Sequence, residues 1–199
     1  MLPQVLPMLT TAAAPFDAAD YSFEIKWDGI RALAAVDAHG WRLWGREASS
    51  YTERYPELAV LRDYPVGTLV DGELVVFRAG RPDLAALLRR HHLADPFKIR
   101  HARRWCPVHY VVFDLLYHRG RGLLHEPLAR RRELLAELCA TVPLAAVVFS
   151  PAVARQGKEL FAQAVALGHE GVVAKHQSST YRPGRRSPAW RKIKPPSRR

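Results

Sequence analysis

The chain has 199 residues, of which 48% are hydrophobic and 25% charged, so it can bury the core of one good-sized domain or two small ones. The formal net charge of +11 favours a polyanionic partner such as nucleic acid or nucleotide phosphate, although a general preference for arginine is an alternative. No apolar run has the length of a membrane span.

The N-terminal segment and the two cysteines indicate the cellular location of the protein. Residues 1–16 contain three prolines and no basic residue, which is untypical of a signal peptide. Cys106 and Cys139 lack metal-ligand spacing, so a reducing compartment is favoured. We therefore expect a cytoplasmic protein that is a monomer and has no membrane partner.

Residues 23–28 read as a strand with two different faces. Phe23, Ile25 and Trp27 would face a core, while Glu24, Lys26 and Asp28 would face a polar space. A single lysine between two acids is a candidate covalent nucleophile. The alternative is a surface hairpin with an exposed lysine.

The next elements predict an antiparallel meander. Asp28-Gly29 is a turn signal before a strand at 30–36, and a third strand follows at 41–44. A helix is predicted at 52–61 with Thr52 as its N-cap, then a strand at 68–77. Asp71 and Glu73 would share one face of that strand, which is costly unless a polar or cationic group occupies the same space.

The second half mixes helices and strands without the regular spacing of a parallel fold. Helices are predicted at 82–93, 128–139 and 157–167, strands at 108–117 and 147–149, and a charged loop at 101–104. Arg130, Arg131 and Arg132 are expected on the outer face of their helix. The pattern predicts an α+β fold with antiparallel sheets.

A basic C-terminal segment covers residues 182–199. From Gly171 onward the chain carries nine lysines and arginines and no acid. A solvated tail is an alternative interpretation for residues 182–186 and for the final Arg198 and Arg199. In an extended segment, however, Trp190, Lys192 and Lys194 would point the same way, which favours a shared binding space.

Five segments occur in an order that resembles the nucleotidyltransferase motifs of bacterial ATP-dependent DNA ligases, closest to the end-joining and repair type. They are 24–31 (EIKWDGIR), 71–73 (DGE), 113–114 (FD), 170–175 (EGVVAK) and 192–194 (KIK). The resemblance implies one adenylation domain over residues 1–199, with two antiparallel sheets flanked by helices and the nucleotide between them.

The same resemblance implies roles for ten residues. Lys26 would attack the α-phosphate of ATP, and Glu170 would bind Mg²⁺ or Mn²⁺. The implied nucleotide or phosphate ligands are Glu24 near adenine, Arg31 at the ribose or nick, Arg46 at a phosphate, Glu73 at the ribose hydroxyl, Phe113 stacked on adenine, and Lys175, Lys192 and Lys194 at phosphate charge.

A lysine nucleophile has a physical requirement. A free lysine with a pKa of about 10.4 is neutral in fewer than roughly one molecule in a thousand at pH 7. Nearby cations such as Lys192, Lys194 and a metal ion would lower the pKa.

Two departures from the family pattern matter. Around Arg46, the family commonly has a glycine within two residues after the arginine, whereas this chain has Ala48 there. Ala48 would be strained if that turn needs a positive φ. The chain also ends near Lys194, where the family continues into an OB-fold domain, so that domain is expected to be absent. Nicked or broken DNA is the expected substrate, with a separate OB-fold or end-joining protein as a possible partner.

Two other functions stay open at this point. An RNA ligase or capping-type nucleotidyltransferase shares the lysine motif. A non-catalytic nucleic-acid-binding module would account for the positive charge. The sequence does not decide whether the chain is a complete natural protein.

Overall fold

The structure is a computed structural model that describes residues 1–196. Its 13 described strands are β1 (Leu9–Ala12), β2 (Ala18–Ile25), β3 (Ile30–Asp37), β4 (Gly40–Trp44), β5 (Thr68–Val75), β6 (Phe77–Arg78), β7 (Arg81–Pro82), β8 (His109–His118), β9 (Arg121–Gly122), β10 (Val147–Phe149), β11 (Ala152–Arg155), β12 (Val172–His176) and β13 (Arg186–Ile193). The α-helices are α1 (Leu84–His91), α2 (Pro96–Trp105), α3 (Leu128–Thr141) and α4 (Gly157–Ala166). Two 3₁₀ helices cover Thr52–Arg54 and Pro56–Asp63.

The strands form two large sheets and one small hairpin. The first sheet has the order β1-β13-β12-β2-β11, and the second has the order β10-β8-β5-β3-β4 with β9 beside β8. Strands β6 and β7 pair with each other. Both large sheets are mainly antiparallel, with one parallel pair in each, β1–β13 and β10–β8. The predicted α+β fold is confirmed.

Alternating side chains divide the core into three layers. Ala32, Ala34 and Val36 of β3 pack under the helices on the outer face of the second sheet. Leu33 and Ala35 point the other way, into a core between the two sheets. Beyond the first sheet, α4 covers a smaller core that includes Phe23. The period of two within each strand therefore creates one face towards the space between the sheets.

The predicted meander is wrong at its first turn. Strands β3 and β4 do pair, but β2 belongs to the other sheet. Residues 26–29 therefore cross from one sheet to the other. Gly29 is required at this crossover because a Cβ there would lie 2.1 Å from the backbone oxygen of Leu74.

The predicted helix at 52–61 is also wrong in type and in its cap. The segment forms two 3₁₀ helices, and Pro56 begins the second. Thr52 does not cap either helix, because its Oγ1 accepts a hydrogen bond from the Leu43 backbone N–H at 2.9 Å. The hydroxyl therefore joins this segment to β4.

Two predictions about basic residues need correction. His101–Arg104 is not a loop but part of α2. This helix begins after Asp95, whose side chain accepts hydrogen bonds from the backbone N–H groups of residues 97 and 98. The sequence signal for this helix is Asp95-Pro96, an N-cap residue followed by a proline at the first helical position. Arg131 of α3 is fully buried and Arg132 is largely buried, so neither lies on the outer face.

The basic C-terminal segment contributes a strand. Residues 186–193 form β13 in the first sheet, so a solvated tail does not describe them. Arg198 and Arg199 lie outside the described residues. Over residues 1–196, no helix combines the length and apolar character needed to cross a membrane.

Candidate active site

The crossover between the sheets leads into a cleft open to solvent. Its inner part is lined by residues from both sheets. Eight of the ten predicted site residues line this inner part: Glu24, Lys26, Arg31, Arg46, Glu73, Phe113, Lys175 and Lys192. The other two, Glu170 and Lys194, line the adjoining mouth together with Lys26. The structure thus brings all ten residues to one cleft.

Lys26 lies directly after β2, at the start of the crossover. Its backbone N–H donates to the Gly171 oxygen at 2.9 Å, which fixes the chain beside β12. Gly171 has φ +140°, and a Cβ there would lie 2.0 Å from the Ile193 oxygen. This close packing of three strands sets the position of the lysine at the cleft.

Glu170 bridges two lysines at the mouth of the cleft. Its carboxylate accepts hydrogen bonds from Lys26 Nζ and from Lys194 Nζ. Burial by itself would raise the pKa of Glu170, but the hydrogen bonds and charges of Lys194 and Lys26 outweigh burial and lower it. Glu170 is therefore an ionised oxygen ligand shared between two cations.

Asp28 is a second carboxylate at this mouth; the sequence predicts that it faces a polar space and begins a turn, but predicts no role for it in the site. Burial and the nearby charge of Glu170 raise its pKa, against the opposing charges of Lys26 and Lys194. Its position two residues after the lysine was the available signal, because the crossover turns its side chain into the same space.

Arg31 is held by a buried carboxylate below the cleft. Its Nε and one terminal nitrogen donate to the two oxygens of Asp71, each at 2.6 Å. Tyr181 donates to Asp71 Oδ2 at 2.6 Å and accepts from the Met8 backbone N–H at 2.9 Å. Burial lowers the pKa of Arg31, but the adjacent Asp71 charge reverses the effect and raises it. Arg31 is a fixed cation.

Glu73 shares the strand face of Asp71, as predicted, but lacks an equivalent partner. Within residues 1–196 it forms no ion pair within 4 Å. Burial raises its pKa to about 7, although the charges of Arg31, Lys26 and Arg46 act in the opposite direction. The cleft therefore contains a carboxyl group whose charge changes near neutral pH.

Glu24 is the centre of a buried ion cluster. One oxygen accepts from Lys175 Nζ at 2.9 Å and the other from Arg132 at 2.9 Å. Burial lowers the pKa of Lys175 to about 8, with Glu24 opposing and Arg132 assisting the change. Arg132 also donates to the oxygens of Ser150 and Phe113, at 2.7 and 3.2 Å. Arg132 is a site residue that the sequence does not predict, because the helical pattern of α3 places it on the outer face.

Phe113 lies at the floor of the cleft. Its side chain is only 6% exposed, with Lys175 Nζ 4.1 Å and Arg31 Cζ 4.5 Å from the ring centroid. Lys175 also lies 4.4 Å from the ring centroid of Trp190. Two cations thus contact an aromatic floor that is mostly covered.

Arg46 reaches the cleft from the loop after β4. Ala48 in this loop has φ +60°, so the turn does need the left-handed conformation that glycine adopts easily. A Cβ at Gly45 would lie 2.1 Å from the Tyr51 hydroxyl, so a larger residue there would displace the Tyr51 ring. The loop can present Arg46 to an anion, at the cost of strain at Ala48.

The carboxylates at the mouth of the cleft fit a Mg²⁺ site that is completed by water and substrate phosphates. Among residues 1–196, no three acids, cysteines or histidines form a metal-binding cluster. Glu170, with Asp28 nearby, provides hard oxygen atoms without a complete set of ligands. Mg²⁺ is typically held by one or two carboxylates together with waters and substrate phosphates, so these residues fit that ion.

Comparison with known proteins agrees with this arrangement. The family model of the ATP dependent DNA ligase domain matches residues 1–194. The chain is 36% identical over 195 residues to the multifunctional non-homologous end joining DNA repair protein LigD of Mycobacterium tuberculosis, covering 94% of this chain and 24% of that protein. The chain thus spans about a quarter of that relative's length.

Two solved structures have the same fold. The ligase domain of M. tuberculosis LigD is 32% identical with a TM-score of 0.80, and the match covers 96% of this chain and 59% of that one. Mycobacterial DNA ligase D complexed with ATP and MES is 32% identical with a TM-score of 0.78, over 96% of this chain and 60% of that one. The match to the family model over nearly the whole length decides the assignment: this chain belongs to the ATP-dependent DNA ligase domain family.

Proposed function

We propose that residues 1–199 act as one adenylation domain that transfers AMP from ATP to Lys26 and then to the 5′-phosphate of nicked or broken DNA. The observation that carries this proposal is the position of Lys26. It is fixed at a crossover between two sheets, at an open cleft that also holds Arg31, Lys175 and Lys192. The related ligase D complexed with ATP supports the choice of nucleotide.

The first step is a displacement at phosphorus. The unprotonated nitrogen of Lys26 attacks the α-phosphorus, an N–P bond forms, and the P–O bond to pyrophosphate breaks. An ammonium group has no lone pair, so the contact with Glu170 must open and the nitrogen must lose a proton. In the second step, an oxygen of the DNA 5′-phosphate attacks the same phosphorus and the N–P bond breaks.

The remaining side chains bind and orient. Lys192 and Lys194 are placed to neutralise phosphate oxygens, which is the main contribution a protein makes to phosphoryl transfer. Glu73 accepts from a ribose hydroxyl, and Phe113 at the floor of the cleft stacks on the adenine base. Arg46 and Arg31 bind phosphate or ribose from the second sheet.

Glu170 is the residue that would hold Mg²⁺ or Mn²⁺, with Asp28 beside it. When bound, such an ion offsets negative charge on the phosphates. The carboxylate of Glu170 accepts from Lys26 and Lys194, so both of its oxygens lie at the mouth of the cleft.

End-joining repair is the proposed cellular role, because the LigD relative is described as a non-homologous end joining protein. A separate OB-fold or end-joining protein is the proposed partner. Cytoplasmic location and a monomeric state complete the proposal, and both described cysteines are free thiols.

The choice of nucleotide and nucleic acid is tested by label transfer. The protein is incubated with radiolabelled ATP or GTP, and the labelled protein is then given nicked duplex DNA or nicked RNA. We expect label from ATP only, and transfer to DNA. Transfer to RNA alone, or labelling by GTP, would replace the proposal with an RNA ligase or a capping-type enzyme.

A further inference from the structure

We propose that the exposed face of α2 binds single-stranded DNA, independently of the chemistry in the cleft. Helix α2 packs against the 3₁₀ helix Pro56–Asp63, whose Leu58 and Leu61 lie in the core on the outer face of the second sheet. The cleft lies on the opposite face of that sheet. The α2 surface is therefore separate from the candidate active site.

The exposed face of α2 combines aromatic rings with positive charge. Only Ile99 and Ala102 of this helix are buried. Its exposed basic side chains are Lys98, Arg100, Arg103 and Arg104, and His101 lies among them. Within residues 1–196, none of these side chains forms an ion pair within 4 Å with a carboxylate. The positive charge is consequently available to an outside anion.

Three rings form a stripe along the same face. Phe97, His101 and Trp105 are spaced four residues apart, so they follow one another along the helix at about 6 Å per step. Phe97 is 70% exposed and Trp105 is 59% exposed. The rings of Phe97 and His101 are nearly parallel, at an interplanar angle of 5° with centroids 6.3 Å apart.

This combination is complementary to an unpaired strand. Bases that are not in a duplex expose their flat faces and stack on aromatic side chains, while arginines and lysines beside the rings contact the phosphates. A duplex hides the base faces, so it would use the cations but not Phe97 and Trp105. The stripe of exposed aromatic rings therefore favours single-stranded DNA over intact duplex.

The test measures binding of a fluorescent oligo-thymidylate by anisotropy. The Phe97→Ala/Trp105→Ala variant keeps the charge, and we expect at least roughly tenfold weaker binding from the lost stacking. The Arg100→Ala/Arg104→Ala variant keeps the rings, and we expect the slope of log affinity against log salt to become shallower by about 1.4. The matched control, Lys158→Ala/Arg185→Ala, removes two exposed cations on the side of the first sheet, away from α2, and should bind nearly as the original chain.

The outcomes separate this proposal from that for the cleft. Adduct formation with ATP should be unchanged in both α2 variants, whether or not the cleft acts as proposed. Equal affinity of the original chain and the Phe97→Ala/Trp105→Ala variant for the oligonucleotide would overturn the proposal, and would assign the α2 face to a protein surface instead. An equal effect of the control variant would also overturn it, because binding would then follow net charge alone.

Discussion

Glu73 is the side chain whose ionisation couples the cleft to pH. Its folded pKa of about 7 is above the ordinary value of 4.5, because burial disfavours the charged form. A raised carboxyl pKa stabilises the fold at low pH, and this contribution is lost as pH rises from about 4.5 through about 7. Above about pH 7 the ionised carboxylate predominates and can accept a hydrogen bond from a ribose hydroxyl.

Glu73→Gln should therefore have opposite effects on stability and binding. We expect the free energy of unfolding at pH 8 to rise by about 1–2 kcal/mol, below the full value of the pKa change because the site faces an open cleft. Little difference should remain at pH 4. ATP affinity should fall. Urea titrations at both pH values measure the first effect, and a variant less stable at pH 8 than the original would contradict it.

Asp71 should be far more important for stability than an exposed acid. Asp71→Asn leaves the largely covered Arg31 without a full counter-charge, and we expect the free energy of unfolding, measured with urea, to fall by about 3 kcal/mol. Glu126→Gln is the control, because its partner Arg121 is mostly exposed. The control should cost less than about 1 kcal/mol. Equal losses of unfolding free energy in the two variants would show that burial of the Asp71–Arg31 pair does not increase its contribution to stability.

Individual site residues could be predicted where strand alternation applies. Glu24, Asp71 and Glu73 face the space between the sheets because a strand alternates its side chains. Arg132 could not be placed in this way, because it lies on a helix whose apolar pattern is interrupted by a run of three arginines. Its ion pair with Glu24 joins residues 108 positions apart, which local periodicity does not reveal.

At the scale of elements, the crossover at residues 26–29 explains why the lysine lies in a cleft. The sequence shows a strand, a turn signal and another strand, which is also the pattern of a hairpin. What separates the alternatives is pairing with distant strands: β2 pairs with β11 and β12, and β3 pairs with β4 and β5. Long-range pairing of this kind is not encoded in neighbouring residues.

The loop that carries Arg46 should tolerate a more flexible residue. Ala48→Gly removes the strain of a positive φ, and we expect the free energy of unfolding to increase by about 1 kcal/mol. Ala136→Gly is the matched control at a half-buried position in the interior of α3, where the same change should cost about 1 kcal/mol. Thermal or urea unfolding distinguishes the two. Destabilisation by both substitutions would mean that the turn does not strain Ala48.

For the whole molecule, the net charge of +11 predicts salt-dependent contact with DNA. Affinity for nicked duplex should fall steeply as salt rises from 50 to about 200 mM. Lys26→Ala should reduce this binding only slightly, since it removes one positive charge of many. Fluorescence anisotropy over a salt series measures both. Affinity that barely changes with salt would mean that the basic surfaces do not contact DNA phosphates.

The central claim is that Lys26 accepts AMP from ATP. The most direct measurement is the intact mass of the protein after incubation with ATP and Mg²⁺ or Mn²⁺, compared with Lys26→Ala and with Lys192→Ala as a variant that keeps the nucleophile. We predict one AMP adduct on the original chain, a reduced amount on Lys192→Ala and none on Lys26→Ala. Absence of an adduct on the original chain, even with an OB-fold partner added, or an adduct that persists on Lys26→Ala, would contradict the account.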